Sequence, residues 1–156
     1  MKTHEQTIPV KVDEVKLVYQ TKTPASQRAK VTCSEDAKNA FLDTWEEGTI
    51  EHHESFRILL LNRANRALGI AVVSNGGISG TVIDVRQIFQ AAVKSNCSSI
   101  IACHNHPSGN RQPSDADQQI TKKISEAGKI MDIKLLDHLI LTPDEGYFSF
   151  ADEGLL

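Results

Sequence analysis

Ser98-Ser99-Ile100-Ile101-Ala102-Cys103 reads as a short, mostly apolar strand, and it runs directly into His104-Asn105-His106. Turn chemistry from Pro107 to Pro113 follows, and Ser114-Asp115-Ala116-Asp117 then opens a segment with helical spacing. The chain must therefore pass from strand to helix here, and the passage carries the pattern H-x-H-x7-S-x-x-D. Residues two apart on an extended chain point to the same side, so His104 and His106 share a face if the strand continues through them. Asp117 falls in the first helical turn, from which its carboxylate can swing back over the same point. Two imidazole nitrogens and one carboxylate oxygen suit Zn²⁺, and three protein ligands leave the open position of a catalytic site.

Each piece alone has a plainer explanation. Ser114-x-x-Asp117 ahead of an apolar-periodic run is close to a capping box, with Ser114 as N-cap. Pro107-Ser108-Gly109 is a turn signal, and Pro113 restrains Gln112. The conjunction points to a metal site, because a cap needs neither histidine and a turn needs no carboxylate. Cys103 is expected to be a buried strand-end thiol rather than a fourth ligand.

The extended pattern H-x-H-P-S-G-x-x-x-P-S-x-x-D resembles the JAMM (MPN-plus) metalloprotease signature in the form carried by bacterial RadC-like proteins. Glu54-Ser55-Phe56 with Leu59-Leu60-Leu61-Asn62, Gly80-Thr81, Arg86-Gln87-Ile88-Phe89, Leu136-Asp137-His138 and Ser149-Phe150 stand in that family's order, so the resemblance runs from Ser34 to Phe150. It implies an α/β fold of the JAB/MPN type, cytidine-deaminase-like, with a mixed-strand sheet sandwiched by helices. Residues 34–156 would form that domain, behind a strand-rich extension at 1–33. The resemblance also implies Zn²⁺ held by His104, His106 and Asp117, Glu54 as the catalytic glutamate, and Ser114 as the donor to the oxyanion.

A chain of 156 residues with 40% hydrophobic content is long enough for one domain with a real core and too short for two. No apolar run approaches the roughly 20 residues of a membrane span, and the N-terminus leads into no signal-peptide core, so a cytoplasmic protein without a membrane partner is expected. Cys33, Cys97 and Cys103 are odd in number and form no C-x-x-C pair, which argues against a disulfide framework. The formal net charge is -3, and Lys122-Lys123 is the one adjacent basic pair. A DNA-binding domain usually shows a basic face, so charge disfavours nucleic acid. The family's name nevertheless alludes to DNA repair. The alternative is therefore a DNA-associated repair or mobile-element accessory protein, acting as a nuclease or a recruitment module.

Ile8, Val10 and Val12, then Val15, Leu17 and Tyr19, alternate around Asp13-Glu14 as one bulged strand or a pair. Residues 21–30 read as a loop. Ser34 is expected to cap a helix with Ala37, Ala40, Phe41 and Trp45 on one face and Gly48 as its stop. Residues 56–62 and 67–74 read as a hairpin, ended by Asn75-Gly76-Gly77. Asp84 and Gln87 resemble a capping box for a helix carrying Val85, Ile88, Phe89, Ala92 and Val93. The helix after Ser114 is expected to turn Ile120, Ile124, Ala127, Ile130 and Met131 to the sheet. Residues 133–141 and 147–150 read as strands, completing an α/β sheet layered with helices.

Zn²⁺ at the three ligands would bring the pKa of its water towards ~7, and a neighbouring carboxylate would take that proton and return it to a leaving amine. On its own, Glu54 is one more acid beside Glu46, Glu47 and Glu51; the resemblance alone gives it the role of base. His52 and His53 are adjacent, would face opposite ways on a strand, and read as surface histidines. Asp137-His138 either backs the site or forms a hydrogen-bonded core pair. The expected activity is that of a zinc-dependent metallopeptidase or isopeptidase, with a peptide or isopeptide substrate of unknown identity.

Overall fold

The computed structural model describes residues 22–76, 82–144 and 146–156, together with Val12, Glu14, Lys16, Val18 and Gln20. Most of the alternating segment expected at 8–19 lies outside the described residues, as does Gly77. The described part of the expected strand-rich extension, 22–33, holds a 3-10 turn at Ala25–Gln27 and a lone bridge from Lys30 to Arg66, with Val31 reaching the core.

Two strands, β1 (Ser55–Leu61) and β3 (Ser99–Asn105), are buried along their whole length. That is the pattern of strands covered on both faces. β1 pairs antiparallel with β2 (Ala67–Asn75) and with β3, β3 runs parallel to β4 (Lys134–Leu141), and β4 pairs antiparallel with β5 (Tyr147–Ser149). The sheet order is β2-β1-β3-β4-β5, a mixed sheet in agreement with the expected class. Parallel neighbours need a crossover, supplied here by α3 (Asp115–Ile130) between β3 and β4.

Alternation along β1 and β3 divides the core. Phe56, Ile58, Leu60, Ile100 and Ala102 face Ile88, Phe89 and Ala92 of α2 (Val85–Lys94) and Ile124 of α3. Leu59, Leu61, Ile101 and Cys103 face Ala37 and Phe41 of α1 (Ser34–Leu42) on the opposite side. The sheet is thus sandwiched, and His104 falls on the α2/α3 face.

Several local expectations change. Ser34 does not cap α1; Cys33 holds the N-cap position, and the Ser34 hydroxyl donates to Asp152 at 2.5 Å. Asp36 reaches back instead, accepting from Thr32 N and Oγ1 at 2.7 Å. The helix ends at Leu42, leaving Trp45 beyond it with the Arg57 guanidinium 3.8 Å from its ring centre. Asp84 caps α2 by accepting from Arg86 N at 2.9 Å, and the Arg86 guanidinium rather than Gln87 takes the rest of the carboxylate.

α3 turns Ile120, Ile124 and Ala127 to the core as expected, but Thr121 and Gly128 are buried as well, while Ile130 is 84% exposed and Met131 is exposed too. Gly128 explains this, because a Cβ there would lie 2.3 Å from Ile133 O. The helix docks through its smallest residue and so carries Thr121 inward and Ile130 outward. Apolar periodicity alone overlooks both buried positions.

Candidate metal centre

β3 remains extended through Asn105, and His106 N donates to Leu141 O at 2.8 Å, so the ligand histidines share a face. Their Nε2 atoms are 3.0 Å apart. Asp117 meets them from the first turn of α3, with Oδ1 3.1 Å from His104 Nε2 and Oδ2 3.5 Å from His106 Nε2. One donor atom from each of the three lies within 4.8 Å of the others.

The carboxylate that caps α3 is the same one that faces the two histidines. Ser114 Oγ accepts from Asp117 N at 3.2 Å, and Asp117 Oδ2 accepts from Ser114 N and Oγ at 2.7 Å each. This reciprocal capping box aims Asp117 before any ion arrives.

Electrostatics follow from this crowding. Burial alone would raise the Asp117 carboxyl, but the adjacent His104 and His106 rings outweigh it and hold the group well below the usual carboxylate range. His106 is raised, chiefly by the adjacent Asp117 carboxylate; burial opposes this, while the Asn110 carbonyl and the nearby Glu54 charge reinforce it. His138 is pushed well below the ordinary histidine value by complete burial and then by His104.

The donor set fits a Zn²⁺-type ion. His106 Nδ1 lies 2.7 Å from Asn110 O, and a carbonyl only accepts, so Nδ1 carries a hydrogen and the ring, when neutral, presents the Nε2 lone pair to the cluster. Lone pairs of two imidazoles converging beside a carboxylate call for a cation between them.

Asn105, between the two ligands, points to the opposite face and is fully buried. Its Oδ1 accepts from Ser55 N at 2.7 Å, and its Nδ2 donates to Ile50 O at 2.7 Å and to His53 O at 2.9 Å. One side chain thereby ties the segment carrying Glu54 to the strand carrying the histidines. Glu54 lines the same cleft of about 560 Å³ as His104, His106, Ser114 and Asp117. His52 and His53 do not line it; their Nδ1 atoms lie 3.2 Å apart in the turn before β1. Asp137 also faces away, accepting from Ser149 Oγ at 2.6 Å and from Ala151 N at 3.0 Å. His138 does reach the cluster, with Nε2 2.9 Å from His104 Nδ1 and Nδ1 2.6 Å from Thr121 Oγ1.

Residues 31–155 match the family profile described as RadC-like JAB domain. The chain belongs to the RadC-like JAB domain family. Among its relatives, a UPF0758 protein of Flavobacterium johnsoniae is 52% identical over 103 residues, covering 66% of this chain and 44% of that protein. A UPF0758 protein of Porphyromonas gingivalis is 46% identical over 103 residues, 66% of this chain and 45% of the relative. One from Caldanaerobacter subterraneus is 36% identical over 127 residues, 77% and 53% respectively. The chain spans about half the length of these curated relatives. In this RadC-like JAB domain all three cysteines are free, and burial pushes the Cys103 thiol well up, on the sheet face away from the ligands. No helix among the described residues is long and apolar enough to cross a membrane.

Proposed function

We propose that this RadC-like JAB domain is a zinc-dependent hydrolase of the JAMM type, cleaving a peptide or isopeptide amide. The observation that supports it best is the convergence of His104, His106 and Asp117 in a cleft that also holds Glu54 and Ser114. Zn²⁺ held by the first three would supply Lewis acidity and a water acidic enough to react near neutral pH. The Glu54 carboxylate takes a proton as the water oxygen bonds to the amide carbon, and delivers it to the nitrogen as the C–N bond breaks, leaving a carboxylic acid and an amine. The Ser114 hydroxyl is the donor for the carbonyl oxygen as it becomes negative, its one hydrogen turning there from Asp117 Oδ2, which keeps the Ser114 main-chain N–H. Ile83, Pro113, Ala116 and Ile120 give the cleft apolar flanks that exclude water from the substrate on either side.

The chemistry of the cleft favours an amide over a phosphodiester. None of the described residues lining it is Lys or Arg, and the whole chain carries net charge -3. Duplex DNA should accordingly bind no better than the non-specific range of ~10⁻⁴ to 10⁻⁶ M at physiological salt. The test is activity profiling of the zinc-loaded protein against peptide, isopeptide and oligonucleotide libraries. Amide cleavage abolished by a chelator and restored by zinc is expected; cleavage or nanomolar binding of nucleic acid with no amide hydrolysis would overturn the reading.

A further inference from the structure

His138 is fully buried, its ring stacked on Phe150 at 4.9 Å between centroids and set edgewise to Phe56 at 5.4 Å. Its nitrogens lie in a row of contacts whose hydrogens can be assigned from one end. Thr121 has a single hydroxyl hydrogen, and its 2.5 Å approach to Asp117 O requires that hydrogen there, because the carbonyl only accepts. The hydrogen in the 2.6 Å Thr121–His138 contact therefore belongs to His138 Nδ1. His138 Nε2 is left as an acceptor, and His104 Nδ1 must donate to it across 2.9 Å. The lone pair of His104 then falls on Nε2, the atom that faces His106 and Asp117.

We propose that His138 is a positioning residue that fixes His104 as an Nε2 ligand, with Thr121 setting the direction of the row. The proposal rests on reading His104 as a metal ligand. The fold supplies the juxtaposition: β4 lies parallel to β3 with His138 paired to Ala102, and Thr121 stands one turn after Asp117 on α3. The row thus runs from the main chain of one ligand, through two side chains, to the ring of another. Without it, His104 can take the opposite tautomer, which presents an N–H where an ion must bind.

Three variants separate the roles. His138→Phe suits the space between Phe56 and Phe150 but accepts nothing; His138→Gln offers an amide oxygen as acceptor; Thr121→Val keeps shape without the hydroxyl. Each is measured for Zn²⁺ affinity by competition with a chromophoric chelator, and for the His104 tautomer by ¹⁵N chemical shifts in the metal-free protein. Wild type should bind one Zn²⁺ per chain with His104 protonated at Nδ1. His138→Phe should bind roughly 10- to 100-fold more weakly with His104 in mixed tautomers, the range typical for loss of a hydrogen-bond partner behind a metal ligand. His138→Gln should recover part of that loss, and Thr121→Val should lose several-fold. Unchanged affinity and an unchanged His104 tautomer in His138→Phe overturn the proposal; if that variant does not fold, the same result in Thr121→Val overturns it. Failure of wild type to bind zinc would count against the proposed function, while the tautomer measurement would still decide the role of His138.

Discussion

On the proposed reading the cleft has a ligand wall and a base wall, and the two are built by different means. The ligand wall consists of the end of β3 and the first turn of α3, where strand alternation places His104 and His106 and a capping box places Asp117. The base wall consists of residues 43–54, which contain no helix or strand; Glu54 closes it, just ahead of β1. That segment is held from outside, by the Asn105 carboxamide and by Arg57, whose Nη1 donates to Thr44 O at 3.0 Å. The three side chains of the ligand wall thus come from 14 consecutive positions, backed by His138 and Leu141 of β4, whereas the placement of Glu54 rests on contacts between residues some 50 positions apart. The two walls should fail differently under mutation.

The largest effect is expected at the ligand wall. Asp117→Ala removes a proposed ligand and the half of the capping box that its carboxylate supplies, while the main-chain N of residue 117 still donates to Ser114 Oγ; zinc should fall from one per chain to near none, with at most about 1 kcal/mol lost from α3 in the metal-free protein. His104→Ala should lose zinc without the cap. Metal analysis after dialysis decides it, and full zinc content in either variant would break the three-ligand assignment.

At the base wall the metal should stay. Glu54→Gln keeps shape and reach but cannot accept a proton, so turnover should fall ~10²-fold or more at unchanged zinc content. Glu51→Gln, in the same acidic segment, should be near wild type. If the two glutamates exchange behaviour the base lies three residues upstream, and zinc loss in Glu54→Gln would make that residue a ligand.

Asn105→Ala sharpens the comparison. It leaves Ser55 N–H, Ile50 C=O and His53 C=O without their partner, at a cost of at least about 2 kcal/mol for buried polar groups. Zinc affinity should change little, whereas turnover falls and the Ser55 amide exchanges faster with deuterium. Slower turnover accompanied by equal zinc loss would show that the walls are not separable.

The smallest effect belongs to a tether between the ligand-wall loop and the β4–β5 turn. Arg111 Nη2 donates to Asp144 Oδ2 at 2.6 Å, and Asp144 is lowered from 3.8 to about 2, first by the Thr142 hydroxyl and then by Arg111. A depressed carboxyl contributes stability above its unfolded value, and that contribution is lost as pH falls through the folded one. Asp144→Asn should therefore flatten the decline in melting temperature between about pH 4 and pH 2, leaving zinc and turnover unchanged. Because the pair is exposed, the shift should be slight.

The same division explains what could be read from the sequence. The hairpin, the motif helix and the converging ligands were legible because each depends on neighbours within a few positions: alternation, a cap, a turn. For Asp117 the sequence offers a cap or a ligand, and the fold leaves room for both, since Oδ2 caps Ser114 while Oδ1 faces His104. Thr121 and Asn105 were not legible. The first is a polar residue in a buried helical stripe, whose place is set by Gly128 against Ile133 O; the second serves a segment distant in sequence. Helical spacing puts Trp45 on the face of α1, yet the helix stops at Leu42 and a buried Arg57 claims the ring. In each case tertiary contacts override a local pattern.

The capping box of α3 also bears on how relatives should be interpreted. A lineage that abandoned the chemistry would still be under selection to keep Ser114 and Asp117, because the pair starts the crossover helix. Their retention in a descendant is thus weak testimony to enzymatic competence. Glu54, which caps nothing and belongs to no strand, has no comparable structural duty, and its replacement is the earlier sign of a retired enzyme.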